Sequence, residues 1–213
     1  MTQTTTTGGR IAVKKIKFSD ATLSYVEKGR GQPVVFVHGP VGDFRSWVEQ
    51  IEFFSQNFRA VSYSRRYHRP NDKIEDNQLY SRTLQTRDLI GFLEALELEK
   101  IHLVGHSYGA AVALLAASER PELVESLTLG EPCTFIELFD DDGLSLVSQQ
   151  KIGFDEAVFL SHSGRTEWAV RQFLKVLIGA DVLDQLSPFV RSVVMVNAGT
   201  LAPLLKSYYE SPR

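Results

Sequence analysis

A short glycine–serine segment, Gly105-His106-Ser107-Tyr108-Gly109, carries the residue types of a nucleophilic site. It follows an apolar run at residues 101–104 and precedes an alanine-rich segment at 110–118, which is the strand-to-helix context that the G-x-S-x-G pattern requires. The glycines on either side of the serine avoid side chains that would collide in so tight a turn. We therefore expect Ser107 to project above a sheet edge, where the N-terminus of the next helix stabilises developing negative charge.

The elements that would position this serine alternate between strand and helix patterns. Apolar or alternating runs at 11–18, 21–26, 34–37, 58–63, 101–104 and 123–129 predict strands, the first two as an antiparallel hairpin and the later ones in a parallel sheet. Helical spacing follows Ser46, which we interpret as a cap, and recurs at Leu89, Leu93 and Leu96. This order predicts an α/β fold, with a mostly parallel sheet flanked by helices.

The rhythm changes after Pro132, and residues 140–208 predict helices only. Thr166 fits an N-cap, Gly179 a C-terminal stop, and Ser187-Pro188 a capped helix start. We therefore expect a disordered tail at 1–9, the first part of an α/β core at 10–132, and a helical cap or lid region at 133–213.

These motifs resemble the α/β-hydrolase superfamily, in its capped, serine-nucleophile branch. The resemblance includes the Tyr-Ser-Arg-Arg-Tyr-His run at 63–68 and the segments 42–43, 45–47 and 129–132. It implies hydrolysis of an ester or related acyl bond through an acyl-serine intermediate at Ser107. The dehalogenases and epoxide hydrolases of this branch use an aspartate at that position, so the serine argues against their reactions.

The same resemblance implies an oxyanion hole built from two backbone segments. Tyr108, directly after the nucleophile, supplies one N–H, and His38-Gly39 after the third strand leads to the other; we assign His38-Gly39 and His106 to the substrate-binding surface. Pro40 occupies the position whose N–H normally faces the oxyanion, and proline has no N–H. Either Val41 donates instead, through a shift of one residue, or Tyr108 acts alone.

The sequence identifies the catalytic acid and base less completely than it identifies the nucleophile. Glu131, at the end of the strand after the elbow, resembles the acid of some capped hydrolases, although it is equally a loop carboxylate near a helix start. As the acid, its carboxylate should lie within about 8 Å of the Ser107 hydroxyl. No histidine occupies the late strand-to-loop position of the base, because the five are His38, His68, His102, His106 and His162.

The Arg65-Arg66 pair stands where many relatives carry a glycine-rich loop. It could bind an acidic substrate or partner, although such residues more often form ion pairs that fix a loop. We expect His68 to form hydrogen bonds within the same loop rather than to act as a base.

The expected fold needs more strands than the sequence predicts. Two further βα units, about 60 residues at roughly 30 each, would carry the catalytic histidine, so we expect a chain from which they are absent. The strand at 123–129 would then be a sheet edge, with unpaired N–H and C=O groups beside Leu127 and Leu129. We expect a second copy, a C-terminal fragment or a differently folded cap to cover it.

The composition of the chain limits the classes of molecule that it is expected to bind. The chain has 213 residues, is 43% hydrophobic and carries a net charge of −3, which gives no basic field for nucleic acid. We find no secretory signal and no apolar run near the roughly 18 residues that span a bilayer. Cys133 is the only cysteine, so no intrachain disulfide can form. We expect a cytoplasmic protein with a small ester-like substrate and without metal, cofactor or membrane.

Two alternative functions remain open. A non-catalytic binding or scaffold protein on the same fold is favoured by the missing histidine and by Pro40, whereas the strained elbow argues against it. A haloperoxidase-like or carbon–carbon hydrolase would use the same residues.

Overall fold

The computed structural model describes residues 12–75, 78–132 and 141–209, so the tail at 1–9 and Cys133 lie outside the described residues. One six-stranded sheet has the order β1-β2-β4-β3-β5-β6. Its strands are β1 (Lys14–Phe18), β2 (Ala21–Lys28), β3 (Pro33–Val37), β4 (Arg59–Tyr63), β5 (Ile101–His106) and β6 (Val124–Gly130). The helices are α1 (Val48–Phe54), α2 (Arg82–Ala95), α3 (Tyr108–Glu119), α4 (Asp141–His162), α5 (Thr166–Ile178), α6 (Pro188–Asn197) and α7 (Leu201–Tyr209).

The first two strands form the expected hairpin, and the later four are parallel. β1 pairs with β2 and β2 with β4 in antiparallel register, whereas β3, β4, β5 and β6 run parallel. Val37 is level with Tyr63 and with Gly105, and His106 is level with Gly130. The carboxyl ends of all four parallel strands therefore meet at one edge, and the predicted α/β fold class is confirmed.

The central strand β3 is buried on both faces, which explains its continuous apolar run. Val35 and Val37 face the larger core with residues of α2 and α3, while Val34 and Phe36 face a smaller core with Ile51 of α1. Side chains that alternate between two apolar layers need apolar residues at every position of the strand.

The helices after residue 141 join the larger core rather than forming a separate one. Phe154, Val170, Phe173 and Leu204 are buried in the same cluster as Val37 of β3. The prediction that this region is helical is confirmed for residues 141–209. Its separation from the first part at residue 133 stays a prediction, because 133–140 lie outside the described residues.

The predicted helix ends agree in part with the structure. Gly179 closes α5 in a left-handed conformation with φ of 82°, and the Ser187 hydroxyl caps α6 by accepting from Val190 N–H. Thr166 is the first residue of α5 and not its cap. The prediction that Ser46 caps a helix is wrong, because Ser46 lies within a 3-10 turn that the Asp43 carboxylate caps.

The segment Pro188–Tyr208 corrects the expectation about apolar runs. It is long and apolar enough to cross a membrane by length and composition alone. In the fold, however, a 3-10 turn at Ala198–Thr200 interrupts it, and Val193, Leu201 and Leu205 are buried. Its apolar character therefore has an explanation in the packing of α6 and α7.

Strand β6 lies at the edge of the sheet among the described residues, and Leu127 and Leu129 are not open to solvent there; cover by a second copy, a C-terminal fragment or a differently folded cap stays a prediction. Both side chains are half-buried against the larger core, on the side that α3 covers. The open surface is on the opposite face, where Val104 and Thr128 line a cavity of about 360 Å³ with Trp47 of the turn before α1.

Candidate active site

Ser107 forms the sharp turn between β5 and α3 that the glycine–serine segment predicts. Its backbone has φ of 52° and ψ of −121°, a left-handed φ that residues with a side chain rarely adopt. The Ser107 N–H donates to Gly130 O at 2.8 Å, which ties the turn to the end of β6. Ser107 is partly exposed.

The two glycines of the segment are required by close backbone contacts. A Cβ on Gly105 would lie 2.6 Å from Ala110 Cα, and a Cβ on Gly109 would lie 2.4 Å from His38 O. Neither contact can relax by turning a flexible side chain, because the nearby atoms belong to the backbone. The pattern therefore reflects the packing of α3 against the ends of β3 and β5.

Backbone strain is concentrated at the edge where the parallel strands end. After β3, β4, β5 and β6 the chain places Val41, Tyr67, Ser107 and Glu131 at φ of 45°, 68°, 52° and 50°. Val41 is unusual among these because a β-branched residue strongly disfavours this region. Strained non-glycine residues cluster at functional sites, which supports this edge as the candidate site.

The expected oxyanion residues lie together at this edge. Tyr108 is the first residue of α3, so its N–H has no acceptor within the helix. Pro40 and Val41 form a turn directly after Gly39, with Pro40 partly exposed and Val41 buried. That Val41 donates to an oxyanion, or that Tyr108 donates without it, stays a prediction.

Glu131 also lies at this edge. It follows Gly130, which is level with His106, and is therefore placed beside Ser107. Its side chain is exposed. The role as catalytic acid stays a prediction.

His38 does not face a substrate, which corrects its assignment to the binding surface. The side chain is fully buried. His38 Nε2 accepts from Arg65 N–H at 3.0 Å, so Nδ1 carries the proton and donates to Gly39 O at 2.9 Å. Burial, with the nearby Arg65 charge, holds the pKa of His38 well below its usual range. Both ring nitrogens are therefore occupied by the backbone.

His68 is a loop residue, as expected. Its ring packs edge-on against His38 with centroids 4.7 Å apart. Nδ1 lies 2.7 Å from Gly42 O, and Nε2 lies 3.2 Å from the Tyr80 hydroxyl. Burial and the charge of Arg65 depress the pKa of His68, so the ring is neutral.

The two arginines of the 63–68 run behave differently. Arg66 forms the expected ion pairs, with Asp88 at 2.6 Å and with Asp20 at 3.1 Å. Arg65 is fully buried and donates to uncharged acceptors, including His38 O and Gly39 O. Sequence reasoning treated the pair as one unit and missed this central position of Arg65.

No histidine of the described residues forms a hydrogen bond with the Ser107 hydroxyl. His38 and His68 lie buried behind the loop, and His102 bonds to Ser126 on the open sheet face. His106 is exposed, with Nδ1 3.0 Å from where a Cβ on Gly39 would lie. Its substrate contact stays a prediction. The described residues also contain no group of three side chains that could hold a metal ion.

Helices α6 and α7 lie against the elbow and its neighbouring loop. The Tyr108 hydroxyl is 3.2 Å from Ser207 Oγ of α7, and the rings of Tyr108 and Tyr208 meet edge-on at 5.6 Å. Burial raises the pKa of Tyr108, so its hydroxyl is protonated at neutral pH.

A buried polar clasp, formed by Asp43, Arg69 and Asn197, connects α6 to the loops. Asn197 Nδ2 donates to Asp43 Oδ2 at 2.8 Å, and Asn197 Oδ1 accepts from Arg69 N–H at 2.7 Å. The Asp43 carboxylate also forms an ion pair with Arg45. The signal for this clasp in the sequence was one asparagine at the end of a mostly apolar helix.

Comparisons with known proteins agree with this architecture. The family model described as the alpha/beta hydrolase fold matches residues 32–203. Epoxide hydrolase 3 of Mus musculus is 30% identical over 132 residues, which cover 60% of this chain and 36% of that protein. A strigolactone esterase of Pisum sativum is 27% identical over 178 residues, covering 82% of this chain and 65% of that one.

A solved structure resembles most of the chain. A hydrolase from Pseudomonas aeruginosa superimposes with a TM-score of 0.67 at 19% identity, covering 93% of this chain and 73% of that one. At this identity the likeness supports the fold alone. The chain spans 36% of the mouse protein and 65% of the pea protein, and so less than two thirds of each.

Proposed function

The chain belongs to the α/β-hydrolase family, and on that premise we propose that it acts on an ester or related acyl bond through an acyl-serine at Ser107. The observation that carries the proposal is the strained, partly exposed turn of Ser107 between β5 and α3. A hydroxyl held in this way is presented to a substrate, and the adjacent helix N-terminus favours negative charge.

The proposed first step is attack of Ser107 Oγ on the substrate carbonyl. The bond from Oγ to the carbonyl carbon forms as the serine proton passes to a base, and the carbonyl becomes an oxyanion; collapse of the intermediate then breaks the ester C–O bond, and the base returns the proton to the leaving alcohol. Tyr108 N–H, unpaired within α3, is placed to donate to the oxyanion. Glu131 would orient an imidazole that receives the serine proton, and the described residues bring no imidazole to that place.

The names of the relatives include epoxide hydrolases and an esterase. We favour the esterase-type reaction because the nucleophile position holds Ser107. Pro40 and the absence of a histidine bonded to Ser107 in the described residues favour the second candidate, a non-catalytic binding protein. Haloperoxidase-like or carbon–carbon cleavage would begin from the same serine.

Supplying the base in solution tests the proposal. We expect the 213-residue chain to release p-nitrophenol negligibly faster than buffer, since an unassisted serine is a weak nucleophile. Added imidazole should produce release above its own background, and Ser107→Ala should abolish that excess. Ser126→Ala is the matched control, because Ser126 already bonds to His102 at 2.7 Å and lies outside the proposed site.

Two results would contradict the proposal. Equal release by the wild-type chain and Ser107→Ala with imidazole present would leave only the binding function. Loss of the excess in Ser126→Ala but not in Ser107→Ala would move the chemistry to the open sheet face. Turnover without imidazole that depends on Ser107 would keep the nucleophile and show that the chain contains a base.

A further inference from the structure

Arg65 is a buried cation without an anionic partner among the described residues. Its side chain is fully buried, and no carboxylate in the described ranges forms an ion pair with it. A buried charge is strongly disfavoured unless its donors are satisfied. The donors of Arg65 must therefore be satisfied by uncharged acceptors.

Two of the four acceptors of the Arg65 side chain belong to the loop after β3, and the other two are the Tyr80 hydroxyl and Gln85 Oε1. Arg65 Nε donates to His38 O at 3.1 Å, and Nη2 donates to Gly39 O at 3.0 Å. Arg65 N–H also donates to His38 Nε2. A planar guanidinium presents its donors in a fixed fork, so it fixes the direction of two successive carbonyl groups.

A relay extends this hold to a third carbonyl. Arg65 Nη1 donates to the Tyr80 hydroxyl at 3.0 Å, and that hydroxyl is 3.2 Å from His68 Nε2. The neutral His68 then donates from Nδ1 to Gly42 O at 2.7 Å. The loop from residue 38 to 42 is therefore held from one side by a connected hydrogen-bond network.

The geometry of the peptide group determines what the other side of the loop presents. In a trans peptide the C=O and the following N–H point in opposite directions. Because Arg65 turns His38 O and Gly39 O towards itself, the Gly39 N–H and the Pro40 nitrogen face away from it, and only the Gly39 nitrogen carries a hydrogen to donate. The Arg65 guanidinium also lies 4.9 Å from the ring centroid of Tyr108, the residue that follows the nucleophile.

We propose that Arg65 is a positioning residue for the oxyanion-binding backbone, holding the loop at 38–42 and the start of α3 in register with each other. The inference rests on the proposed function and deepens it. Arg65 does not contact substrate; it acts through the loop carbonyls and the Tyr108 ring. A lysine cannot reproduce it, because a point donor cannot fork to two carbonyls.

The test uses acetylation of Ser107 by p-nitrophenyl acetate with imidazole, followed by intact mass. Arg65→Lys should lower the limiting acetylation rate about tenfold or more, in line with the loss of oxyanion donors elsewhere. The ester concentration at half-maximal rate and the final acetylated fraction should be unchanged. A merely structural role would instead lower the acetylated fraction, because fewer chains would be folded.

Arg66→Gln is the matched control. It removes a neighbouring arginine and leaves the buried Asp88 unpaired, so it should destabilise the fold without changing the rate per folded chain. An Arg65→Lys rate equal to the wild-type rate, or an equal loss in Arg66→Gln, would overturn the inference.

Hydrogen exchange gives a readout that does not depend on the chemistry. Arg65→Lys should speed exchange in peptides that cover 37–43 and the first turn of α3, whereas Arg66→Gln should not. Unchanged exchange in both segments would overturn the inference. If the wild-type chain is not acetylated at Ser107, the proposed function fails, and the exchange data still decide whether Arg65 positions the loop.

Discussion

The clasp of Asp43, Arg69 and Asn197 makes one substitution unusually informative. Asn197→Ala removes a side chain that is 2% exposed and accepts from Arg69 N–H while donating to Asp43 Oδ2. The buried Asp43 oxygen and the part-buried Arg69 N–H would both lose a partner. The change therefore removes the polar contacts that tie α6 to the loops after β3 and β4.

The magnitude follows from these two groups. Asp43 Oδ2 still accepts from Arg45 Nη2 after the change, whereas the part-buried Arg69 N–H loses its acceptor; since a buried group without a partner costs about 1–3 kcal/mol, we expect a loss of about 1–3 kcal/mol. For a chain of this size 1 kcal/mol corresponds to about 2–4 °C in Tm. The midpoint should therefore fall by about 2–12 °C.

The assay is thermal unfolding by circular dichroism, with Arg191→Ala as the control on the same helix. Arg191 pairs with Glu167 and Asp184 at exposed positions, where an ion pair contributes about 0–1 kcal/mol. If Asn197→Ala lowers the midpoint no more than Arg191→Ala, the buried clasp does not stabilise the fold and the reasoning is refuted.

Three further outcomes can be measured on the same protein. Burial depresses the pKa of His38 and His68, so these groups should not affect the free energy of unfolding above a pH of about 6.5. Below that pH the free energy of unfolding should fall by about 1.4 kcal/mol per pH unit for each histidine. Urea titrations should show a weaker dependence of this free energy on pH in His68→Gln, and an unchanged dependence would contradict the reasoning. Gly109→Ala, whose Cβ would meet His38 O at 2.4 Å, should lose about 1–3 kcal/mol or more, and wild-type stability would contradict the close approach. Pro40→Ala should raise imidazole-assisted acetylation of Ser107 about tenfold or more if residue 40 donates to the oxyanion; an unchanged rate would favour donation by other residues.

The sheet could be predicted from the sequence because its signals are local. The run at 34–37 is apolar at every position since β3 is buried on both faces, and the glycines around Ser107 mark backbone contacts that no side chain can enter. Both features depend on residue types close together in the chain, which a single sequence displays.

The polar centre behind the loop could not be predicted, because its contacts join distant segments. Arg65 looked like one half of a surface pair, and only the fold shows that it is buried against carbonyls 26 and 27 residues earlier. His38 was assigned to substrate because of its place in a motif. The fold directs its ring to Arg65 N–H and Gly39 O instead.

The helix cap before α1 and the open face of the edge strand β6 also could not be predicted from neighbouring residues alone. Ser46 has a cap-forming side chain, but Asp43 performs that role because the turn begins earlier. The edge strand was expected to need cover from a second copy, a C-terminal fragment or the cap, whereas α3 already covers the face of β6 that carries Leu127 and Leu129. Which face of an edge strand is open depends on helix packing, and strand alternation alone does not specify it.

The most direct test of the central claim is to locate the acyl group after the chain reacts with p-nitrophenyl acetate and imidazole. Tandem mass spectrometry of the peptide that contains residues 105–109 should place one acetyl group on the Ser107 hydroxyl, with denatured protein as the control for ordinary serine reactivity. Acetyl groups confined to lysines or tyrosines, with Ser107 unmodified, would contradict the assignment of Ser107 as the nucleophile.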